Sequence, residues 1–425
     1  MTDRTEIADA PCDQAGAPPG LEPTLIADPP PPVARDQMVW VWITAMTVSW
    51  FGDALWTVAL AWTAAHTLAP ALAGVVVGIE MLPQAVLVLL GGVLADRLDT
   101  RKVLVTGQLG QVLALVIGAS AWQAGLRGAG TLIALSLAFG IASGLTIPAG
   151  MTLSRQLVRA RDLGTVTGWN QVANRVARLV GAPVGGVLVA WGGLVAAMTV
   201  NAVSFLVIAA ALIAAVRPRF RLPRATSQRW TSSLRDGLGY LRRDPAARLL
   251  VIGLTALNVF VSPVVALGVA LRVAGSGWGP GWVGFAEGAF AAGAILGSLA
   301  GIRWQPVAPA RAGFIALVVQ GMALAAIGIP TRVSLLAAML AVGVTAGAAS
   351  VWLSGVFQRT IDPSHLGRVS SVTSLGDMSL MPLAVPMFGA IAAASSVLSA
   401  AILFGTAMSM LCLWFATRRI LASLR

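Results

Sequence analysis

The feature that most constrains this chain is a series of apolar stretches, each long enough to cross a membrane, which runs from Met38 to the C-terminus. A helix needs about 20 apolar residues to cross the hydrocarbon core, where it satisfies its own backbone hydrogen bonds. Only 11% of the residues are charged, against about 25% in soluble domains. The pattern predicts an all-α polytopic membrane protein with twelve transmembrane helices. The predicted spans lie near 38–65, 70–94, 103–124, 130–153, 165–191, 193–216, 249–271, 282–302, 312–330, 333–357, 369–394 and 397–417.

Basic residues are concentrated in alternate loops, and this predicts the orientation of the chain. The central segment 217–248 alone contains nine arginines, whereas the loops on the other side contain only Arg127, Arg272 and Arg332. By the positive-inside rule, both termini are then cytoplasmic. We expect a multi-pass protein of the cell (inner) membrane. The net charge of +12 follows from this topology, so it does not indicate a nucleic-acid partner.

The chain divides into four parts by composition. Residues 1–36 are rich in proline and acidic residues, which predicts a disordered cytoplasmic tail. Two six-helix bundles follow at 37–216 and 249–425, separated by the basic cytoplasmic linker 217–248. Within this linker, Ser232–Arg243 either forms an amphipathic helix on the inner leaflet or is a solvated connection. The bundles are expected to be pseudo-symmetric, because the loops after spans 4 and 10 resemble each other.

The loop after span 2 has a recognisable sequence, GVLADRLDTRK at 92–102. It resembles the loop motif G-x-L-x-D-R-x-G-R-[RK]-[RK] of the major facilitator superfamily. Asp99 stands where a glycine is common, as in the third drug:proton antiporter branch of macrolide, tetracycline and siderophore exporters. The resemblance implies a major facilitator fold and a cytoplasmic gate, in which Asp96 meets the positive N-terminus of span 11. The alternative is a set of topology-determining charges. The predicted gate residues are Gly92, Asp96, Arg97, Arg101 and Lys102.

Three further stretches extend the resemblance over most of the chain, namely 166–186, 236–245 and 365–370. In antiporters of this branch the fifth span carries G-P-x-x-G-G, whose small residues allow close helix packing. The corresponding residues here are Gly181, Pro183, Gly185 and Gly186, with the proline displaced by one position. The resemblance therefore implies export of a compound, while ordinary small-residue packing remains an alternative.

Four acidic residues lie inside predicted spans: Asp53, Glu80, Glu287 and Asp377. A charge at the bilayer centre costs at least about 2.5–3.5 kcal/mol, so each requires an explanation. Asp53 and Glu80 are expected near the membrane midplane on adjacent helices, where burial and mutual repulsion allow proton exchange near neutral pH. We predict a role in proton coupling for Asp53 first and Glu80 second. The alternatives are a neutral acid that is hydrogen-bonded for packing, or a substrate contact.

Two arginines and two tryptophans complete the candidate site. Arg175 and Arg178 share one helix face, and they either pair with acids in the cavity or, as we favour, mark the inner membrane interface. Trp56 and Trp352 could stack against a lipophilic substrate, although tryptophans more often anchor interfaces. The composite prediction of a cavity for coupling or substrate contains Asp53, Glu80, Glu287, Asp377, Arg175, Arg178, Trp56 and Trp352.

The function implied by the resemblance is proton-coupled efflux of a small lipophilic compound (a drug, siderophore or secondary metabolite), which can confer drug resistance. A proton symporter or facilitator that imports a nutrient is the alternative, and a membrane-embedded enzyme or sensor would need a catalytic constellation that is not visible. The sequence has two histidines and two cysteines and no G-x-x-x-x-G-K-[ST] loop, so we expect no metal, cofactor or ATP. We expect a monomer, with protons as the coupling ion.

Overall fold

The structure is a computed structural model, and it describes residues 31–87, 99–220, 230–362 and 365–422. Its membrane-spanning elements are all helices. We number them as spans in chain order and call Trp230–Arg243 the linker helix. Span 1 is Gln37–Thr67, span 2 Pro70–Leu87, span 3 Thr100–Gln123, span 4 Ala129–Leu157, spans 5 and 6 lie in Leu163–Ala214, span 7 is Pro245–Gly275, span 8 Gly281–Arg303, span 9 Pro309–Ile327, span 10 Arg332–Thr360, span 11 Leu366–Ala394 and span 12 Val397–Thr417.

Spans 5 and 6 form one continuous helical segment of 52 residues. A straight helix of this length would measure about 78 Å, more than twice the hydrocarbon core of about 30 Å. Gly193 interrupts it with φ 65° and ψ −162°, a conformation open to glycine and strained for residues with a Cβ. Span 5 is therefore 163–192 and span 6 is 194–214. Since the described residues contain eleven apolar helices of sufficient length, this division gives the twelve predicted spans.

Aspartates fix the beginnings of three spans. Asp36 accepts a hydrogen bond from the backbone N–H of Met38 at the start of span 1. Asp99 accepts from the backbone N–H groups of Arg101 and Lys102 at 3.0 and 3.3 Å. Asp244 caps span 7 in the same way. Side-chain oxygens at such positions satisfy N–H groups that have no partner in the helix. Asp99, which stands where the loop motif commonly has glycine, thus serves as the N-cap of span 3.

An even number of spans places both ends of the bundle on one side, which we call the terminal face; the other side is the opposite face. Near the opposite face the two halves are in backbone contact. A Cβ added to Gly74 of span 2 would lie 3.2 Å from Cα of Gly389 in span 11. A Cβ on Gly186 of span 5 would lie 2.8 Å from the carbonyl oxygen of Pro280, just before span 8. These two crossings close the space between the halves on that side.

At the start of the bundle, on the terminal face, ordered structure begins earlier in the chain than predicted. Residues 1–30 lie outside the described residues, but Val33–Arg35 form a 3-10 turn inside the tail predicted to be disordered. Asp36 is buried and forms a bidentate ion pair with Arg219, which follows span 6; one of its two contacts measures 3.0 Å. Order therefore begins before residue 37, because this aspartate has a cationic partner and a capping role.

The linker helix packs on the C-terminal half. Asp236 lies 3.6 Å from Arg368 of span 11, and the Tyr240 ring stacks on His365 at 4.8 Å between centroids. A Cβ at Gly237 would lie 2.8 Å from the carbonyl oxygen of Arg368. Of the two alternatives for Ser232–Arg243, the structure thus shows the helix, and at least one of its faces contacts protein.

Candidate functional site

A cavity of about 320 Å³ lies between the two halves of the bundle. Spans 1 and 5 contribute from the N-terminal half, and spans 8 and 10 from the C-terminal half. Most of the lining is apolar, so a lipophilic body can be accommodated. The lining residues are Ala54, Thr57, Val58, Arg175, Arg178, Ala182, Glu287, Phe290, Ala291, Ala294, Ile295, Ser298, Ala346, Gly347 and Ser350.

Small residues create the space for this cavity. Span 8 presents Ala291 and Ala294 to it, and span 10 presents Ala346 and Gly347. Gly347 also packs against the backbone of span 8 at Ala294 and Ser298. Spans 8 and 10 therefore approach each other closely, as small residues permit in membrane helices.

Arg175 and Arg178 project into the cavity. Arg175 Nη1 donates a hydrogen bond to Ser298 Oγ at 3.2 Å, which joins span 5 to span 8 across the halves. Ser298 Oγ in turn donates to the Gly347 carbonyl oxygen at 3.5 Å. The structure places both arginines in the lining of the cavity, as in the alternative to the interface position that we favoured from the sequence. Arg175 lies twelve residues into a long helix that enters the bundle, about 18 Å from its first residue.

Three of the four predicted acids are linked to Arg178, two of them directly and the third through Asp53. Glu287 lines the cavity, and Arg178 interacts electrostatically with both Glu287 and Asp53. Asp53 precedes the lining residue Ala54 and also interacts with Glu80 of span 2. The adjacency of Asp53 and Glu80 expected from their depths is thus found in the structure. One guanidinium and three carboxyl groups thus form a connected set, of which Arg178 and Glu287 line the cavity.

Asp377 lies elsewhere, between spans 11 and 7. Its carboxyl group is beside the Asn258 side chain, and its Oδ1 atom is buried without a hydrogen-bond partner among the described residues. It is not part of the cavity lining. The structure therefore does not join Asp377 to the other three acids.

The two predicted tryptophans, Trp56 and Trp352, each contact residues of their own half. Trp56 is buried in the N-terminal half, where its ring stacks on Phe139 at 5.0 Å. Its indole nitrogen lies next to Glu80 without a hydrogen bond of standard geometry. Trp352 donates from Nε1 to the carbonyl oxygens of Gly301 and Trp304 at 3.1 and 3.0 Å. Neither tryptophan lines the cavity. These contacts therefore do not support the hypothesis that Trp56 or Trp352 stacks on a substrate.

The predicted gate motif falls partly outside the structure. Gly92, Asp96 and Arg97 lie beyond the described residues. Arg101 donates from Nε and Nη2 to the carbonyl oxygens of Leu212 and Ile213, both at 2.6 Å. These carbonyls belong to the last turn of span 6, where intrahelical donors are lacking. Arg101 therefore binds within its own half, and the Lys102 side chain is exposed.

The glycines of the fifth-span motif face two directions. A Cβ at Gly181 or Gly185 would lie 2.9 Å from backbone atoms of span 1. Gly186 instead meets the start of span 8, and Pro183 packs against Gly284 and Gly288 of that span. The motif thus allows span 5 to pack closely against span 1 of its own half and against span 8 of the other half.

The cavity also contains residues that the sequence did not indicate. Thr57, Ser298 and Ser350 place hydroxyl groups in the lining, and Phe290 supplies an aromatic ring. Isolated hydroxyl residues are common in membrane helices and carry no spacing signal. Only their place in the same lining as Arg175 and Arg178 distinguishes them.

The family model described as Major Facilitator Superfamily matches residues 41–385. None of the curated proteins matches the sequence significantly. Among solved structures, nucleoside transporter NupG is similar with a TM-score of 0.69 at 14% identity, covering 89% of this chain and 98% of its own. A bacterial homologue of the iron transporter ferroportin in an inward-facing state gives 0.68 at 16% identity, covering 90% and 99%. A POT family transporter in complex with a thioalcohol conjugated peptide gives 0.65 at 12% identity, covering 88% and 94%. These likenesses concern the fold, since all three identities are low.

Proposed function

Because the chain belongs to the Major Facilitator Superfamily, and is accordingly a membrane transporter, we propose that it exports a small lipophilic organic compound in exchange for protons. The observation that carries this proposal is the cavity between the halves, whose wall combines an apolar surface with Arg178 and the carboxyl groups around it. Alternating access would rock the halves about this site.

The apolar lining supports a lipophilic substrate. Binding cavities of this kind take up a small molecule chiefly through apolar contact, with a few polar groups that fix its orientation. Val58, Phe290 and Ile295 provide the apolar surface, and Thr57 and Ser350 provide hydroxyl groups. A volume of about 320 Å³ is at the lower end of common ligand sites, which favours a compact compound.

The acids around Arg178 support proton coupling. A carboxylate that faces a guanidinium in a membrane interior is stabilised by it, and protonation removes that attraction. Protonation of Glu287 or Asp53 would therefore release Arg178 from one partner. Since Glu287 belongs to the C-terminal half and Arg178 to the N-terminal half, this change alters the attraction between the halves and so favours one conformation.

The direction of transport rests on the antiporter resemblance of the sequence. Pro183 and Gly186 of the fifth-span motif lie at the crossing with span 8, a position where packing between the halves must change in alternating access. An exporter of this branch would use that crossing to close the cavity toward the opposite face.

The test is proton release from acid-loaded inverted membrane vesicles, followed with a pH-sensitive dye while lipophilic compounds are added. We expect an exported compound to raise the lumenal pH in wild-type vesicles and not in Asp53→Asn vesicles at matched expression. Asp162→Asn is the matched control, because Asp162 is on the terminal face and pairs only with its neighbour Arg161 among the described residues. Full proton release in Asp53→Asn vesicles would show that Asp53 is not required for proton coupling.

A proton symporter that imports an anionic nutrient is a second candidate, and the position of Arg178 between two acids favours it. An anion would bind Arg178 best when those acids are protonated, so anion and proton would travel together. In the same vesicles, a symporter would raise the lumenal pH when the compound is preloaded inside. It would not do so when the compound is added outside.

A further inference from the structure

Arg175 differs from Arg178 in what surrounds its charge. Arg178 interacts with Asp53 and Glu287. Among the described residues, Arg175 forms no ion pair, and its recorded hydrogen bond goes to the neutral hydroxyl of Ser298. Its side chain is exposed to the cavity, which it lines. A permanent positive charge therefore faces the cavity without a counter-charge from those residues.

A charge in this position needs a reason. Arginines inside membrane-spanning bundles almost always face a polar cavity or a partner, and they commonly mark substrate pathways. The guanidinium has five N–H donors in a planar fork that matches a carboxylate or phosphate. Only one of these donors has a hydrogen bond to a described residue. The remaining donors are available to an oxyanion.

Ser298 can complete such a site from the other half. Its Oγ atom donates only a long hydrogen bond of 3.5 Å to the Gly347 carbonyl oxygen, so the hydroxyl can turn to another acceptor at little cost. Arg175 Nη1 and Ser298 Oγ already lie 3.2 Å apart. An oxyanion could therefore accept from both, and the apolar residues Phe290 and Ile295 of span 8 lie along the same cavity for the rest of the molecule.

We propose that Arg175 and Ser298 form the subsite for an acidic group of the transported compound, so that the substrate class is amphipathic organic acids. This inference rests on the proposed function, since it takes the cavity as the transport site. Because Arg175 belongs to span 5 and Ser298 to span 8, a bound acid joins the two halves. Binding of the substrate thereby contributes to the closure that alternating access requires.

The experiment compares organic acids with their own neutral amides on the purified protein in phosphatidylcholine nanodiscs. The probe pairs are 1-naphthoate with 1-naphthamide, 4-phenylbutanoate with its amide, and indole-3-acetate with its amide, with binding measured by thermophoresis. We expect at least one acid to bind the wild type about tenfold more tightly than its amide, as a charge-assisted hydrogen bond predicts. Arg175→Gln should bring the acid to within about twofold of the amide, and Arg175→Lys should retain part of the preference.

Arg332→Gln is the matched control, because Arg332 lies at the opposite face over the Trp282 ring at 4.9 Å. This variant should keep the wild-type preference. If Arg175→Gln does not yield folded protein by size-exclusion chromatography, Ser298→Ala serves instead and should reduce the preference about threefold, since one hydrogen bond is lost. The proposal is overturned if no acid in the panel is preferred over its amide. It is equally overturned if the preference survives in Arg175→Gln or, where that variant fails to fold, in Ser298→Ala.

A lipid headgroup could offer the same oxyanion. If the preference for acids seen in phosphatidylcholine disappears when phosphatidylglycerol is included, lipid occupies the subsite and a transported acid is refuted. Equilibrium binding needs no proton gradient. Failure of proton coupling in the vesicle assay would therefore leave this preference intact, and the two proposals can fail separately.

Discussion

The crossing of spans 5 and 8 can be tested by adding a single methyl group. In Gly284→Ala, the new Cβ would lie 2.5 Å from the Ala182 carbonyl oxygen and 2.8 Å from Cα of Pro183. Ordinary contacts of a Cβ are 3.4–4 Å, and both neighbours are backbone atoms that cannot rotate away. The two spans would have to separate by about 1 Å. Overpacking of this kind costs about 1–3 kcal/mol.

This cost applies only to the conformation in which the halves meet near the opposite face. A transporter that alternates between two states would therefore shift toward the state open on that side. An energy of about 1–3 kcal/mol corresponds to a change of about 5- to 150-fold in the ratio of the two populations. The free energy of the open state is unaffected, because the methyl group there faces the widened space.

The populations can be measured as spin-label distances across the opposite face. Leu126, before span 4, and Val333, at the start of span 10, are 62% and 78% exposed and belong to different halves. After removal of the native thiols in Cys12→Ser and Cys412→Ala, both positions are changed to cysteine and labelled. We expect a second, longer distance in Gly284→Ala that is weak or absent in the parent protein.

Gly130→Ala is the matched control, since a Cβ at Gly130 would have no neighbour within 4 Å. It adds the same methyl group near the same face and should leave the distances unchanged. An unchanged distance distribution in Gly284→Ala, with the protein folded, would refute the reasoning that this crossing limits the closed state.

Three other substitutions test contacts described above by thermal unfolding in detergent. Asp36→Asn should lower the unfolding midpoint, because the Arg219 side chain, which is only 12% exposed, loses its charged partner at a cost of about 3 kcal/mol at most; an unchanged midpoint would mean that the ion pair does not stabilise the fold. Arg101→Gln should destabilise by about 1–3 kcal/mol through the uncapped end of span 6, whereas Lys102→Gln, on an exposed side chain, should not. Trp352→Phe should destabilise by a similar amount, while the affinity for a transported compound stays within about twofold in a binding assay; a larger loss would place Trp352 in the substrate path.

The membrane architecture was predictable because the bilayer limits the choices so strongly. The length of each apolar stretch defines a span, and the predicted break between spans 5 and 6, at residue 192, lies one residue before Gly193, where the helix is kinked. The proximity of Asp53 and Glu80 also followed from helix rise and depth. These predictions depend on distances along a helix, which the sequence contains directly.

The roles of the arginines were not predictable in the same way. For Arg175 we favoured the inner membrane interface because basic residues usually lie there, whereas the structure places it in the lining of the cavity. Arg101 was assigned to a gate between the halves, whereas its partners are carbonyl groups of span 6. A backbone acceptor such as those that bind Arg101 leaves no mark in the amino-acid pattern.

Because of the contacts of the linker helix, the second half begins earlier in the chain than predicted. With Asp236 beside Arg368 and Tyr240 stacked on His365, residues from Trp230 onward belong physically to the C-terminal half. Since Arg219 and Phe220 are bound to the first half, the tether between the halves then shortens from the predicted 217–248 to 221–229, a reach of at most about 32 Å when fully extended. A gene divided within 221–229 would encode two polypeptides that each keep their own contacts, including the ion pair between Asp36 and Arg219 in the first. A division at 249 would deprive the second polypeptide of the helix that covers the start of its span 11.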